Sequence, residues 1–202
     1  MIYILLPAYN EYPNLVKILE QISNEIFLKK KTTVVLVNDG STDSTKKLQS
    51  YENDNFIFKY INNDINLGIS PTLEKGLKYI VNNSKDDDVV VTLDSDNTHP
   101  VQYIKDMIQK LNDNDVIIAS RFVSGSKVLG LNIFRKILSF FAKIIFSLFL
   151  PIKNVKDYTC NFRAYRAIHL KNLIIKKKDL FVSKDFGIAA EILIQLYLSN
   201  NS

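Results

Sequence analysis

Val89-Val90-Val91-Thr92-Leu93-Asp94-Ser95-Asp96-Asn97-Thr98-His99-Pro100 is the stretch from which the rest of the chain is read. Its unbroken run of apolar, mostly β-branched residues predicts a strand buried on both faces, and such strands belong mostly to parallel sheets covered by helices on either side. Asp94 and Asp96 stand where that strand ends, one residue apart, so in extended backbone they point the same way. Like charges that close repel unless a cation neutralises them. A hard divalent ion such as Mg²⁺ accepts carboxylate oxygens and keeps positions open for phosphate oxygens. A D-x-D triplet on its own is also an ordinary strand end followed by a helix start, so its weight comes from its surroundings.

At 202 residues the chain suits one α/β domain with a full core and is too short for two ordinary ones. Hydrophobic residues at 47% and charged residues at 23% are globular values, which sets disorder aside. The net charge of +5 arises in a sequence rich in Asn and Lys throughout, so it argues weakly for nucleic acid, and none is expected as a partner. Arginine says more, because Arg121, Arg135, Arg163 and Arg166 all follow the acidic turn. Arg binds phosphate bidentately where Lys acts as a point charge, so this placement suggests phosphate recognition in the second half, with chance clustering as the alternative. Cys160 is the only cysteine, which excludes an internal disulfide and fits a reducing, cytoplasmic setting. Residues 1–7 lack the basic start of a signal peptide and read as the first strand. No charge-free run of about 18 apolar residues predicts a transmembrane helix.

Taken in order, residues 2–6 and 33–37 predict strands, with an amphipathic helix opened by Asn10-Glu11 and Pro13 and running to about Phe27 between them. Asn38-Asp39-Gly40-Ser41-Thr42-Asp43 is a polar turn in which Ser41 or Thr42 is expected to cap the next helix. A strand over 56–61, a helix over 71–82, the strand at Val89, a helix over 100–111 and a strand over 116–119 complete an alternating β-α register, which argues for a doubly wound parallel sheet. Ligands of such sheets bind beyond the carboxyl ends of the strands, so Asn10-Glu11, Asp39 and Asp94/Asp96 are expected to share one crevice. Residues 133–152 are almost wholly apolar. They read either as a buried core helix or as a helix at the membrane surface, with Phe140, Phe141, Phe146 and Phe149 in lipid and Arg135, Lys136 and Lys143 at head groups. A loop and short strand over 157–166 and a helix over 185–198 follow, and the final Ser199-Asn200-Asn201-Ser202 reads as a truncation.

Several segments stand in a fixed order: Leu6-Pro7-Ala8-Tyr9-Asn10-Glu11, Val37-Asn38-Asp39-Gly40-Ser41-Thr42-Asp43, Asn66-Leu67-Gly68, Leu93-Asp94-Ser95-Asp96 with His99-Pro100, Ala119-Ser120-Arg121-Phe122, and Asp157 to Arg166. Together they resemble the family 2 glycosyltransferases of GT-A fold, in the branch of dolichyl- and polyprenyl-phosphate sugar synthases. The resemblance implies one α/β domain over residues 1–202, with a mostly parallel central sheet flanked by helices. It implies that Pro7, Tyr9, Glu11 and Asp39 hold the nucleoside, and that Asp94, Asp96 and Thr98 hold Mg²⁺ or Mn²⁺ against the donor diphosphate. Arg121 and Arg135 resemble phosphate-pairing arginines, and Ser139, one turn beyond Arg135, matches a position that meets the acceptor phosphate. The sequence departs from the family pattern at Ser70-Pro71, where a second glycine is usual, and at Asn161, where glycine precedes Phe-Arg.

The acceptor decides what catalysis needs. A sugar hydroxyl requires a general base, whereas a phosphate monoester with a second pKa of about 6 is already an anion at neutral pH. The arginines favour the anion. Asp96, Asp157 and Arg121 are the expected catalytic residues, Asp157 as organiser of the acceptor or as base, and Arg163 as partner of a phosphate or of Asp157. For Asp157 and Arg163 a structural salt bridge is the competing reading. Glu191 on the last helix is weighed as a site residue and set lower, since a helical Glu usually faces solvent. The expected reaction is an inverting, metal-dependent transfer from a nucleotide sugar to a polyprenyl phosphate at the cytoplasmic membrane face. GDP-mannose leads as donor. UDP-glucose, UDP-N-acetylglucosamine and a saccharide acceptor stay open. Asp94-Ser95-Asp96-Asn97-Thr98 also fits the nucleophile loop of haloacid-dehalogenase-like phosphatases. That fold puts its nucleophile on the first strand, while three strands precede this one. A nucleotide-sugar-binding domain without turnover is the non-catalytic alternative.

Overall fold

The computed structural model of the chain describes residues 1–29, 31–123, 144–146, 148–176 and 187–200. Among the described residues six strands form one sheet: β1 (Ile2–Ala8), β2 (Thr32–Asp39), β3 (Ile57–Asn63), β4 (Val89–Thr92), β5 (Val116–Ile118) and β6 (Arg163–Arg166). Their order across the sheet is β3-β2-β1-β4-β6-β5. β1 pairs in parallel with β2 and β4, and β2 with β3, while β6 runs antiparallel to both its neighbours. The expectation of a mostly parallel sheet flanked by helices holds. The expected continuous parallel register does not reach β5, because β6 inserts between it and β4.

The helices that cover the faces are α1 (Tyr12–Asn24), α2 (Ile69–Asn83), α3 (Tyr103–Lys110), α4 (Ala167–Lys176) and α5 (Ile188–Asn200). The period-2 alternation of the strands divides the core into two layers. Ile2, Ile4, Leu6, Val34, Leu36 and Val91 pack with Leu15, Ile18, Leu19 and Ile22 of α1 and with Ile104 and Met107 of α3. The alternate residues Tyr3, Leu5, Val35, Val37 and Val90 pack with Leu73, Leu77 and Ile80 of α2 and with Leu170 and Ile192 of α4 and α5. α2 lies so close to β1 that a Cβ on Gly76 would come within 2.2 Å of Leu5 Cδ1.

Local chemistry moved several expected boundaries. α1 stops at Asn24 and a separate 3-10 turn, Ile26–Leu28, follows. The helix after β2 is a 3-10 helix, Ser44–Ser50, capped by Asp43, whose side chain accepts from Thr45 N at 2.9 Å. Ser41 and Thr42, the expected caps, bond instead to Asn10. α4 had no signal in the sequence, since Ala167 follows Arg166 of β6 with no capping or breaking residue between them. Of the apolar run 133–152, residues 144–146 and 148–149 are helical. Arg135, Ser139, Phe140 and Phe141 lie outside the described residues. Phe146 does not face outward: its ring stacks on Tyr158 at 5.2 Å, in a small cluster with Ala190 and Leu193. No helix among the described residues is long and apolar enough to cross a membrane.

Candidate active site

The topology gathers the candidate residues at one edge of the sheet. β1, β2 and β4 end there at Ala8, Asp39 and Thr92. Because β6 is antiparallel, its first residue, Arg163, pairs with Thr92, which places the preceding loop 157–162 at the same edge. Ala119 N donates to Phe162 O at 3.0 Å and carries Arg121 to that edge as well.

The loops after β1 and β2 are laced together. Asn10 takes a left-handed backbone with φ 57°, which Asn tolerates, and its Oδ1 accepts from Thr42 N at 2.8 Å and Asp43 N at 3.2 Å. Asn10 N donates to Ser41 Oγ at 2.9 Å, and Tyr12 N to Asp43 Oδ2 at 3.1 Å. Pro7 is buried, its carbonyl accepting from Ser95 Oγ at 2.7 Å. Tyr9 is 44% exposed at the mouth, and Glu11 Oε2 accepts from Asn14 Nδ2 at 2.7 Å. Asp39 is buried and engaged with the protein: Oδ1 accepts from Asn63 Nδ2 at 2.8 Å and Leu67 N at 3.0 Å, and Oδ2 from Gly68 N at 2.9 Å. It thereby fixes the Asn66-Leu67-Gly68 loop beside the crevice.

The acidic turn is held from three directions and by bonds within itself. Ser95 ties it to β1, and Gln21 Nε2 of α1 donates to Asn97 Oδ1 at 3.2 Å. Asp94 N donates to His99 Nδ1 at 3.1 Å, and Asn161 Nδ2 donates to Asp94 Oδ1 at 3.0 Å. Thr98 bonds Asp96 Oδ1 through both N, at 3.0 Å, and Oγ1, at 2.7 Å. The hydrogen bonds from described residues fall on Oδ1 of each carboxylate, while Oδ2 of Asp94 has His99 Nε2 at 3.9 Å, beyond hydrogen-bond distance. Two solvent-reaching carboxylates with an open oxygen each fit a hard divalent cation. Among the described residues no group of three or more His, Cys, Asp or Glu comes together that could hold such an ion.

On the far side of the crevice Arg121 and Asp157 form a bidentate pair, with Nε to Oδ2 at 2.8 Å and Nη2 to Oδ1 at 2.8 Å. Nη2 also reaches Thr159 Oγ1 at 2.7 Å, and Arg121 keeps 20% of its side chain in solvent against 1% for Asp157. Hydrogen bonding to Asp157 raises the Arg121 pKa further, so the guanidinium is permanently charged. Arg163 takes a different place from the one expected. It is fully buried, with Nε on Cys160 O and Nη2 on Tyr158 O, both at 2.7 Å, and Nη1 on Ala189 O. Its donors hold backbone carbonyls of loop and helix, and it meets neither Asp157 nor the crevice. Arg166 caps the carboxyl end of α3 at Leu111 O, 2.9 Å from Nη2. Burial pushes the Cys160 thiol up to about 11, so it is inert at neutral pH.

Sequence reasoning expected Asn10-Glu11, Asp39 and Asp94/Asp96 to share one crevice, and β1, β2 and β4 do end at one edge of the sheet; Arg121 and Asp157 entered only through the resemblance. It missed the part played by Asn10 and Thr159, and it noted Asn161 only as a departure from glycine. The alternation of polar residues after β1 and β2 was the available signal for the first.

Comparison with known proteins bears on the family and the fold. Residues 3–173 match the family model described as glycosyl transferase family 2. The chain is similar to a dolichol-phosphate mannosyltransferase of Pyrococcus furiosus, 30% identical over 81% of this chain and 45% of that protein. It is also similar to an undecaprenyl-phosphate mannosyltransferase of Micrococcus luteus, 23% identical over 93% of this chain and 74% of that protein. The chain thus spans less than half the length of the Pyrococcus relative. A glucosyl-3-phosphoglycerate synthase of Mycobacterium tuberculosis, solved with Mn²⁺, uridine diphosphate and phosphoglyceric acid, superposes with a TM-score of 0.68 at 18% identity, over 98% of this chain and 64% of that one. That likeness establishes the GT-A fold.

Proposed function

The chain belongs to glycosyl transferase family 2, and from that premise we propose that it transfers a sugar from a nucleotide sugar, GDP-mannose, to a polyprenyl phosphate. The observation that carries the proposal is the meeting, at one sheet edge, of the Asp94/Asp96 pair with a partly exposed arginine, Arg121, whose head is oriented by Asp157. The relatives named for dolichol-phosphate and undecaprenyl-phosphate mannosyl transfer support donor and acceptor.

Asp94 and Asp96 would hold Mg²⁺ or Mn²⁺, whose Lewis-acid charge supports departure of the nucleoside diphosphate. Tyr9, Glu11 and the loop braced by Asp39 line the nucleoside end of the crevice, with Pro7 beneath. Arg121 positions the anionic acceptor, which attacks the anomeric carbon once and inverts it. Asp157 serves as orienter of Arg121, because both its oxygens already accept from the protein, and a phosphate acceptor needs no proton removed. Arg135 and Ser139 are proposed to complete the acceptor site. The exposed apolar residues Ile145, Leu148 and Phe149 support a peripheral contact with the cytoplasmic membrane face, where such an acceptor resides.

The test is a transfer assay with radiolabelled GDP-mannose, UDP-glucose or UDP-N-acetylglucosamine, Mn²⁺, and either polyprenyl phosphate in detergent or soluble saccharides. Mannose on the lipid is the expected product, and Asp96→Asn should reduce it by on the order of a hundredfold or more with the fold intact. Product on a saccharide alone refutes the acceptor, and full activity of Asp96→Asn refutes the metal site.

A further inference from the structure

Asn161 stands in the loop that leads into β6. Its backbone is fixed, since Thr92 Oγ1 of β4 donates to Asn161 O at 2.6 Å. Its amide crosses to the end of the same strand, where Nδ2 donates to Asp94 Oδ1 at 3.0 Å. A carboxylate only accepts, so the amide must present its N–H₂ group there. The next residue, Phe162, is buried and stacks on His99 at 5.1 Å and 19°, and His99 Nδ1 in turn receives the Asp94 N–H at 3.1 Å. The dipeptide Asn161-Phe162 therefore governs Asp94 twice, directly at a carboxylate oxygen and through His99 at the main chain.

We propose that Asn161 is a positioning residue for the divalent cation: by engaging Oδ1 of Asp94 it fixes the carboxylate and leaves Oδ2 as the oxygen presented to the ion. The proposal rests on the reading of Asp94 and Asp96 as the metal anchor. A carboxylate free to turn could offer both oxygens and occupy a coordination position that the donor diphosphate needs, and small divalent ions tolerate little departure from octahedral geometry. An amide is suited to this task because it donates without charge. A Lys or Arg in its place would compete with the cation for Asp94. The bond also joins the two halves of the crevice, since the same loop that places Asn161 begins at Asp157, which orients Arg121.

The experiment titrates Mn²⁺ by electron paramagnetic resonance into the full chain with GDP or UDP present, comparing wild type, Asn161→Ala, Asn161→Gly and Asp94→Asn, with thermal unfolding alongside. Asn161→Ala and Asn161→Gly should weaken Mn²⁺ binding about 10–100-fold, the range for removing a donor behind a metal-binding carboxylate. Both should stay folded, with thermal unfolding close to that of the wild type. In the transfer assay the Mn²⁺ concentration for half-maximal rate should rise by the same factor, with kcat at saturating Mn²⁺ retained. Unchanged Mn²⁺ affinity in Asn161→Ala, with affinity lost in Asp94→Asn, overturns the role of Asn161 alone. Mn²⁺ binding that survives Asp94→Asn overturns the metal assignment, and this proposal with it.

Discussion

Asp157 has a carboxylate at 1% exposure that accepts from Arg121 through Nε, Nη2 and the main chain, and from the backbone of Thr159 and Cys160. Burial would raise its pKa, but the hydrogen bonds and charge of Arg121, with the backbone donors, hold it below the usual carboxylate range. A folded pKa below the unfolded value of about 3.9 means that the pair's contribution is fully present above that pH and is lost as pH falls through the folded value. Asp157→Asn should cost about 3 kcal/mol, a fall in Tm of roughly 6–12 °C for a chain of this size. The gap to wild type should be constant from about pH 6 to 8 and close below about pH 4. Thermal unfolding across that range checks it, and a gap as wide at pH 3 as at pH 7 would contradict the ion pair.

At the scale of elements, the turn after β2 depends on Gly40. Its φ of +66° disfavours any side chain, and a Cβ would lie 2.4 Å from Ile65 C, a backbone atom that cannot move aside. Gly40→Ala should cost about 2–4 kcal/mol. It should also speed amide exchange at Leu67 and Gly68, because the displaced turn carries Asp39 away from their N–H groups; unchanged exchange would show that Asp39 does not hold that loop. Elements of this kind were legible in the sequence where one local rule decided them. The apolar runs of β1, β2 and β4 announced buried parallel strands, and the strand ends announced where Asp39, Asp94 and Asp96 would gather. Arg163 was not legible, because its acceptors belong to residues 158, 160 and 189, and no local pattern shows that a cation will end among carbonyls. Nor was the reversal of β6, a four-residue strand whose direction is set by the loop that precedes it. Phe146 and Phe149 looked alike in an apolar run, and only Tyr158 separates the inward ring from the outward one.

For the whole molecule, Leu148 and Phe149 are 74% and 75% exposed, while Tyr158 OH donates to Leu150 O at 2.7 Å and fixes the segment that follows them. The apolar surface is thus presented from a tethered support and is joined to the loop that holds Arg121. The pair Leu148→Ser and Phe149→Ser should weaken flotation with anionic vesicles about tenfold or more and leave Tm nearly unchanged, since little buried area is lost. Wild-type protein that stays with the aqueous fraction would count against membrane contact.

The insertion of β6 between β4 and β5 also orders events on the ribosome. Among the described residues β5 pairs with β6 alone, so residues 116–118 meet that partner only once Arg163–Arg166 has emerged. Arg163 then waits for Ala189 before its last donor is satisfied. A nascent chain would therefore pair β1, β2, β3 and β4 first, and the segment that carries Arg121 would be fixed in place only after Ala189 has emerged.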